Sequence, residues 1–185
     1  MRSKFITSLL LGLSVNAMAA DIAGPGAVPP LATIAALDVP RYMGTWYEIA
    51  KFPNRFQKKC TGFTSATYSP LADGTVQVVN RCKTDNGNTD EAIGVARQIG
   101  GAVSPKLKVR FAPAIVSFLP MVWGDYWVID LDPKYQLAAV SEAKREYLWI
   151  LSRTPKVDQA SYDALVARLA AQGLDVSKLV RTKQE

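Results

Sequence analysis

The sequence predicts an all-β domain, an antiparallel meander of eight strands closed into a barrel or folded as a sandwich. From residue 44 onward, short segments rich in β-branched and aromatic residues follow one another with turn signals between them. One segment, Lys106-Leu107-Lys108-Val109-Arg110-Phe111, alternates cations with apolar residues, so one wall is wet and the other apolar. No helical periodicity appears until about residue 158.

The chain opens with Arg2 and Lys4, an apolar stretch from Phe5 to Val15 and the small-x-small site Ala17-Met18-Ala19, the pattern of a secretory signal peptide over 1–19. That stretch is too short to span about 30 Å of hydrocarbon, and no later segment offers about 20 uninterrupted apolar residues. A lipoprotein signal needs a cysteine directly after the cleavage site. Ala20 and Asp21 stand there and the nearest cysteine is Cys60, so no lipid anchor is expected. Residues 20–36, rich in alanine, proline and glycine, are expected as a flexible leader. Residues 37–181 form the expected domain and 182–185 a frayed tail; the chain beyond the signal suits one core and no more.

Strands are predicted near 45–52, 62–69, 75–82, 91–99, 105–111, 123–131, 135–142 and 147–153. Ser69-Pro70-Leu71-Ala72-Asp73-Gly74 turns the second into the third, and Asp132-Pro133-Lys134 the sixth into the seventh. Val157 to Gly173 reads as one amphipathic helix on the outside of the sheet. Tyr162, Leu165, Val166 and Leu169 are its apolar stripe, Asp158 its cap and Gly173 its stop. Lys178-Leu179-Val180-Arg181 fits a short ninth strand.

Composition removes several chemistries. The chain has no histidine, which excludes histidine-based triads, histidine-bound zinc and the usual haem ligand. Two cysteines cannot make a thiolate zinc site, and no cofactor or metal is expected. The 22 basic and 16 acidic residues are not gathered into basic runs with interleaved aromatics, so no nucleic acid partner is expected. The mild positive charge fits solubility and attraction to anionic lipid.

An exported chain with two cysteines is expected to join them. If the turn pairs Tyr68 with Gly74, Cys60 and Cys82 lie directly opposite each other, within disulfide reach. The alternative is a reactive thiol at Cys60, its pKa lowered by Lys58 and Lys59. Glu48 has no second carboxylate placed opposite it, so it is expected as a hydrogen-bonded group in the barrel seam, its partner a tyrosine or lysine.

Residues 38–50, 124–129 and 147–155, which hold Gly44-Thr45-Trp46, Gly124-Asp125-Tyr126 and Arg153, resemble in that order three motifs of the lipocalin family, and more narrowly of its bacterial branch related to apolipoprotein D and the plant temperature-induced lipocalins. Asp38-Val39-Pro40-Arg41-Tyr42-Met43-Gly44-Thr45-Trp46-Tyr47-Glu48-Ile49-Ala50 is similar to the family's short opening helix and Gly-x-Trp motif. Gly124-Asp125-Tyr126-Trp127-Val128-Ile129 and Tyr147-Leu148-Trp149-Ile150-Leu151-Ser152-Arg153-Thr154-Pro155 resemble its second and third motifs, in order. The resemblance covers about residues 37 to 181. It implies an eight-stranded up-and-down barrel with one helix packed outside, its closed end built by Gly44, Trp46 and Arg153, the guanidinium stacked on the indole.

The resemblance also implies a cavity lined by Tyr126, Val128 and Trp149, to which alternation adds Leu107, Val109 and Phe111. Ala92, Gly94 and Ala96 share one face of the fourth strand and leave space for an acyl chain. In this topology two loops lie at the open end. Residues 53–61 carry the cations Arg55, Lys58 and Lys59, expected as a head-group rim. Residues 112–122 carry Ile115, Phe118, Leu119 and Met121, an apolar run expected as a lid or membrane-docking lip, or else folded back on the protein or into a dimer. The implied function is binding, storage or transport of a fatty acid or phospholipid-derived ligand such as a lysophospholipid, without catalysis. The implied setting is the periplasm, free or associated with the outer membrane, as a monomer or homodimer supporting envelope maintenance. The alternatives are a thiol-dependent lipid isomerase and an interaction module using residues 112–122.

Overall fold

A computed structural model describes residues 29–185. The signal peptide expected over 1–19 and the leader residues 20–28 lie outside the described residues. A short helix α1 (Val39–Tyr42) leads into β1 (Gly44–Lys51). Then come β2 (Cys60–Pro70), β3 (Val76–Thr84), β4 (Thr89–Gln98), β5 (Lys106–Arg110), β6 (Gly124–Leu131), β7 (Leu137–Ser141) and β8 (Leu148–Ser152). Helix α2 (Gln159–Ala171) and β9 (Val180–Arg181) complete the chain. From β1 to β8 each strand pairs antiparallel with the next, and β1 pairs with both β2 and β8, which closes an eight-stranded barrel.

Closure divides the core in two, because strand side chains alternate between inside and outside. Inside, Trp46, Val128, Val140, Leu107 and Leu151 pack with Leu37, Tyr42 and Tyr68 at the closed end. Outside, Ile49, Ile129, Leu148 and Ile150 pack against Tyr162, Leu165 and Leu169 of α2. The helix begins where the Asp158 carboxylate accepts from the Ser161 backbone N–H at 2.9 Å, and ends at Gly173 with φ +81°.

Both ends of the domain are tied down. In the described part of the leader, Leu31 joins the outer core and the Ile34 N–H donates to the Val128 carbonyl at 3.1 Å. The tail is not frayed as expected. β9 pairs with the upper half of β1, Thr182 N–H donates to the Ile49 carbonyl at 2.9 Å, and the Gln184 amide donates to the carbonyls of Glu48 and Thr64 at 2.8 and 2.7 Å. The tail fills the gap where β2 bulges away from β1, and its approach explains Gly62: a Cβ there would sit 2.7 Å from the Lys183 carbonyl oxygen. Four polar residues carry no apolar signal, so the tail's backbone role is hidden in the sequence.

The β2–β3 register also differs from expectation. β2 runs through Pro70, which pairs with Val76, so Tyr68 faces Val78 rather than Gly74. The turn spans Leu71 to Thr75 and is closed by the Leu71 N–H donating to the Thr75 carbonyl at 2.8 Å. Two irregularities, between Cys60 and Gly62 and between Gly62 and Ser65, then shift the pairing back, leaving Cys60 opposite Thr84 and diagonal to Cys82. The two cysteines form the disulfide nonetheless, with Cα atoms 5.6 Å apart.

Candidate functional site

The β1–β2, β3–β4, β5–β6 and β7–β8 connections gather at one end of the barrel, and there the interior opens into a cavity of about 730 Å³. Its walls come from inward positions of all eight barrel strands, including Ala66, Val78, Ala96, Leu107, Val140 and Leu151. The opposite end is shut. Trp46 is fully buried, its indole N–H donates to the Tyr42 carbonyl at 2.9 Å, and the Arg153 guanidinium lies 4.1 Å from the indole centroid. That guanidinium also donates to the carbonyls of Arg41 at 2.8 Å and Thr45 at 3.1 Å, stitching α1 and β1 to β8. Gly44, with φ +90°, brings its backbone under Arg153 Nη1: a Cβ there would stand 3.3 Å from it.

The cavity floor is a cluster of three phenols. The Tyr126 hydroxyl lies 2.9 Å from the hydroxyls of both Tyr42 and Tyr68. The rings of Tyr42 and Tyr68 stack at 5.7 Å, and Tyr126 meets Tyr68 edge-on at 6.2 Å. Tyr42 and Tyr68 are almost fully enclosed, and Tyr126 keeps surface open to the cavity. Burial pushes the Tyr68 phenol up to about 12 and raises Tyr42 and Tyr126 well above the ordinary value, so all three stay neutral and keep their protons.

One wall rises from floor to mouth as an aromatic ladder. Trp149 stacks on Tyr147 at 5.8 Å, and Tyr147 meets Phe56 at 5.5 Å. The Trp149 indole N–H donates to Gln57 Oε1 at 3.0 Å, and Gln57 Nε2 donates to Glu48 Oε2 at 2.5 Å. Glu48 is 2 % exposed and also accepts from Thr182 Oγ1 at 2.6 Å, with Lys51 Nζ at 3.1 Å. This carboxylate is neutralised and hydrogen-bonded, which is how a buried charge is tolerated. Lysine is its ionic partner, as expected, and no tyrosine bonds to it.

Of the residues expected in the cavity, Tyr126, Trp149, Leu107, Val109 and Phe111 line it. Val128 does not. It points inward but lies deeper, fully buried in the packed core of the closed end. Nor does Gly94 leave room for a ligand: the Phe111 ring occupies that space, its Cδ1 2.7 Å from where a Cβ would be. The cationic rim is also corrected. Arg55 borders the cavity, whereas Lys58 and Lys59 are exposed outside it, Lys59 held by Asp90 at 2.6 Å. The rim carries both signs, with Arg81, Lys144, Asp90 and Glu142 around it. Alternation could not foresee this, because Asp90 at the start of β4 and Glu142 just after β7 converge there only once the barrel closes.

In residues 112–122, two short 3-10 turns (Ala114–Val116 and Pro120–Val122) present Ile115, Phe118 and Met121 at 83 %, 77 % and 87 % exposure. These three do not fold back on the protein. Met121 borders the cavity, and Leu119 is half-buried. The base of the loop is fixed by Trp123, whose indole N–H donates to the Ser117 carbonyl at 2.7 Å under the Arg97 guanidinium at 4.3 Å. The Arg110 guanidinium donates to the Ala112 carbonyl beside it. Sequence reasoning missed Tyr42, Tyr68, Phe56 and Gln57. Tyr42 and Tyr68 were detectable as large aromatics on inward positions beside Trp46 and along β2, but nothing local to them signalled convergence on Tyr126.

The lipocalin-like domain family matches residues 37–184. Temperature-induced lipocalin-1 of Arabidopsis thaliana is 44 % identical over 153 residues, covering 82 % of this chain and 81 % of that protein. The outer membrane lipoprotein Blc of Escherichia coli K12 is 39 % identical over 148 residues, covering 80 % and 79 %. Among solved structures, insecticyanin from the tobacco hornworm Manduca sexta superposes with a TM-score of 0.65 at 19 % identity, covering 86 % of this chain and 87 % of that one, a likeness of fold.

Proposed function

The chain belongs to the lipocalin-like family, and from that premise we propose that it carries a fatty acid or lysophospholipid in its barrel and catalyses no reaction. The observation that supports this most is the cavity: about 730 Å³, mostly apolar, closed at one end and open at the other. Ligand pockets run from roughly 300 to 1,000 Å³. Each methylene removed from water contributes about 0.8 kcal/mol before ordering costs, so an acyl chain inside the barrel supplies the driving force. A phosphate or carboxylate left at the mouth meets Arg55 and Lys144 rather than the lysine pair 58 and 59, and Arg81 is held by Glu91 at 2.7 Å. The exposed Ile115, Phe118 and Met121 form a lip beside the opening, suited to rest on a lipid surface while a tail passes in. Relatives named as outer membrane lipoproteins support a place in the cell envelope for this chain, with the signal peptide expected over 1–19 directing export to the periplasm.

The thiol-dependent isomerase loses its nucleophile when Cys60 and Cys82 are joined. A reading as a protein-docking module keeps one specific support, the exposed lip. The deciding experiment is native mass spectrometry with solvent extraction on protein exported by its natural host. A co-purifying fatty acid or lysophospholipid, depleted in Trp149→Ala, is the expected result. Protein that stays empty against a panel of such lipids overturns the carrier reading and moves the weight to the lip as a docking surface.

A further inference from the structure

At the cavity floor three phenols make two hydroxyl contacts, Tyr42 to Tyr126 and Tyr68 to Tyr126. Three hydroxyls carry three protons, and two contacts use two of them. Whichever way each contact is oriented, one proton is left over. If both outer tyrosines donate to Tyr126, the Tyr126 proton is free. If Tyr126 donates to one of them, that one is free. Neither Tyr42 nor Tyr68 has another hydrogen-bond partner among the described residues, and all three hydroxyl-bearing rings face the cavity. A buried donor without an acceptor is costly, and an oxygen on the inner end of a ligand removes that cost.

We propose that the Tyr42–Tyr126–Tyr68 floor is a polar subsite that accepts one uncharged oxygen, a hydroxyl or carbonyl, at the buried end of a chain ligand, so that the cavity favours chains oxygenated at their inner end over plain methyl-terminated ones. This rests on the carrier reading above. The site is for a neutral oxygen because the surrounding wall is apolar and the neighbouring phenols are themselves uncharged. Isolated burial of a carboxylate there would go uncompensated, since the closest cation, Arg153, is turned to the Trp46 face and spends its donors on backbone carbonyls.

The counting argument sets the choice of variants. Removing any one hydroxyl still leaves a free proton, so single Tyr→Phe changes do not test the site. The triple variant Tyr42→Phe/Tyr68→Phe/Tyr126→Phe keeps all three rings and removes every donor. The double variant Tyr42→Phe/Tyr68→Phe keeps the Tyr126 hydroxyl with its proton. Binding is measured for a lysophosphatidylcholine of the acyl length that the native protein holds most tightly, and for the same lipid with a hydroxyl on the terminal carbon, which leaves the head group at the mouth unchanged.

Native protein and the double variant are expected to bind the hydroxylated lipid as tightly as its parent or more tightly. The triple variant is expected to bind it about tenfold more weakly than its parent, the usual cost of an unpaired buried hydroxyl. A hydroxylated lipid already about tenfold weaker in the native protein, or a preference that the triple variant leaves unmoved, overturns the subsite while leaving the carrier intact. Failure of the native protein to bind even the parent lipid overturns both. Circular dichroism and the melting temperature of each variant establish that the barrel is folded when binding is read.

Discussion

At Arg153 a single side chain stacks on the buried indole of Trp46 and donates to backbone carbonyls of α1 and β1. A desolvated cation–π pair contributes up to about 2 kcal/mol, and each of the two solvent-exposed hydrogen bonds adds about 0.5–1.5 kcal/mol net. Arg153→Ala is expected to lower the free energy of unfolding in urea by about 3 kcal/mol while lipid affinity stays near native, because the residue lies behind the cavity floor. Arg153→Lys is expected to recover little, since an ammonium can neither stack flat nor reach two carbonyls in a fork. The buried phenols give a pH dependence whose sign follows from their raised values. Unfolded tyrosines ionise near 10 and folded Tyr68 near 12, with Tyr42 and Tyr126 also raised. Their contribution to stability is therefore whole below pH about 10 and is lost as pH rises toward 12. Phenolate absorbance is expected to show that Tyr42, Tyr68 and Tyr126 stay silent in folded protein through pH about 10, where unfolded tyrosine ionises. Titration of all seven tyrosines near 10 in folded protein would contradict that.

Among the elements, the one most at odds with its sequence is the tail after β9. The Thr182 hydroxyl, the Lys183 carbonyl and the Gln184 amide satisfy Glu48, Phe63 and Thr64 where β1 and β2 separate. Deleting residues 182–185 strips a buried carboxylate of one partner and leaves backbone groups open, and the expected cost is about 1–3 kcal/mol in urea unfolding. A deletion without measurable effect would mean that the gap closes without the tail. The other elements were legible where periodicity spoke. The alternation of β5, the stripe and caps of α2 and the spacing of eight strands all report local burial, and the structure reproduces them within a few residues at their ends. The β2–β3 register was not legible. A five-residue turn and two bulges have no signature as strong as a hydrophobic face, and the shift, four residues at Tyr68 and two at Cys60, is even at both and so preserves that face anyway.

For the molecule as a whole, barrel closure collects onto one rim residues that are far apart in the chain. Phe56 from one loop and Ile115, Phe118 and Met121 from another become exposed at the same opening as Arg55 and Lys144. Replacing Ile115, Phe118 and Met121 with serine is expected to lower partition onto phosphatidylglycerol-containing vesicles by about tenfold or more, without lowering the melting temperature, because none of the three supports the core. Equal partition of native and variant protein in a vesicle flotation assay would remove the lip from the uptake path. The sequence by itself determined the all-β class, the order of the strands, the packed helix and the pairing of the cysteines, and the resemblance of its motifs added the barrel and the Trp46–Arg153 closure. Each of these is written in local periodicity, in a compact motif or in a two-member inventory. Only the tertiary structure decided that Val128 is core rather than wall, that Phe111 fills the space beside Gly94, that the rim carries both signs, and that Tyr42, Tyr68 and Tyr126 meet. Those outcomes depend on depth along the barrel axis and on which strands face one another across it, and a side-chain period of two reports inside against outside but neither depth nor opposition.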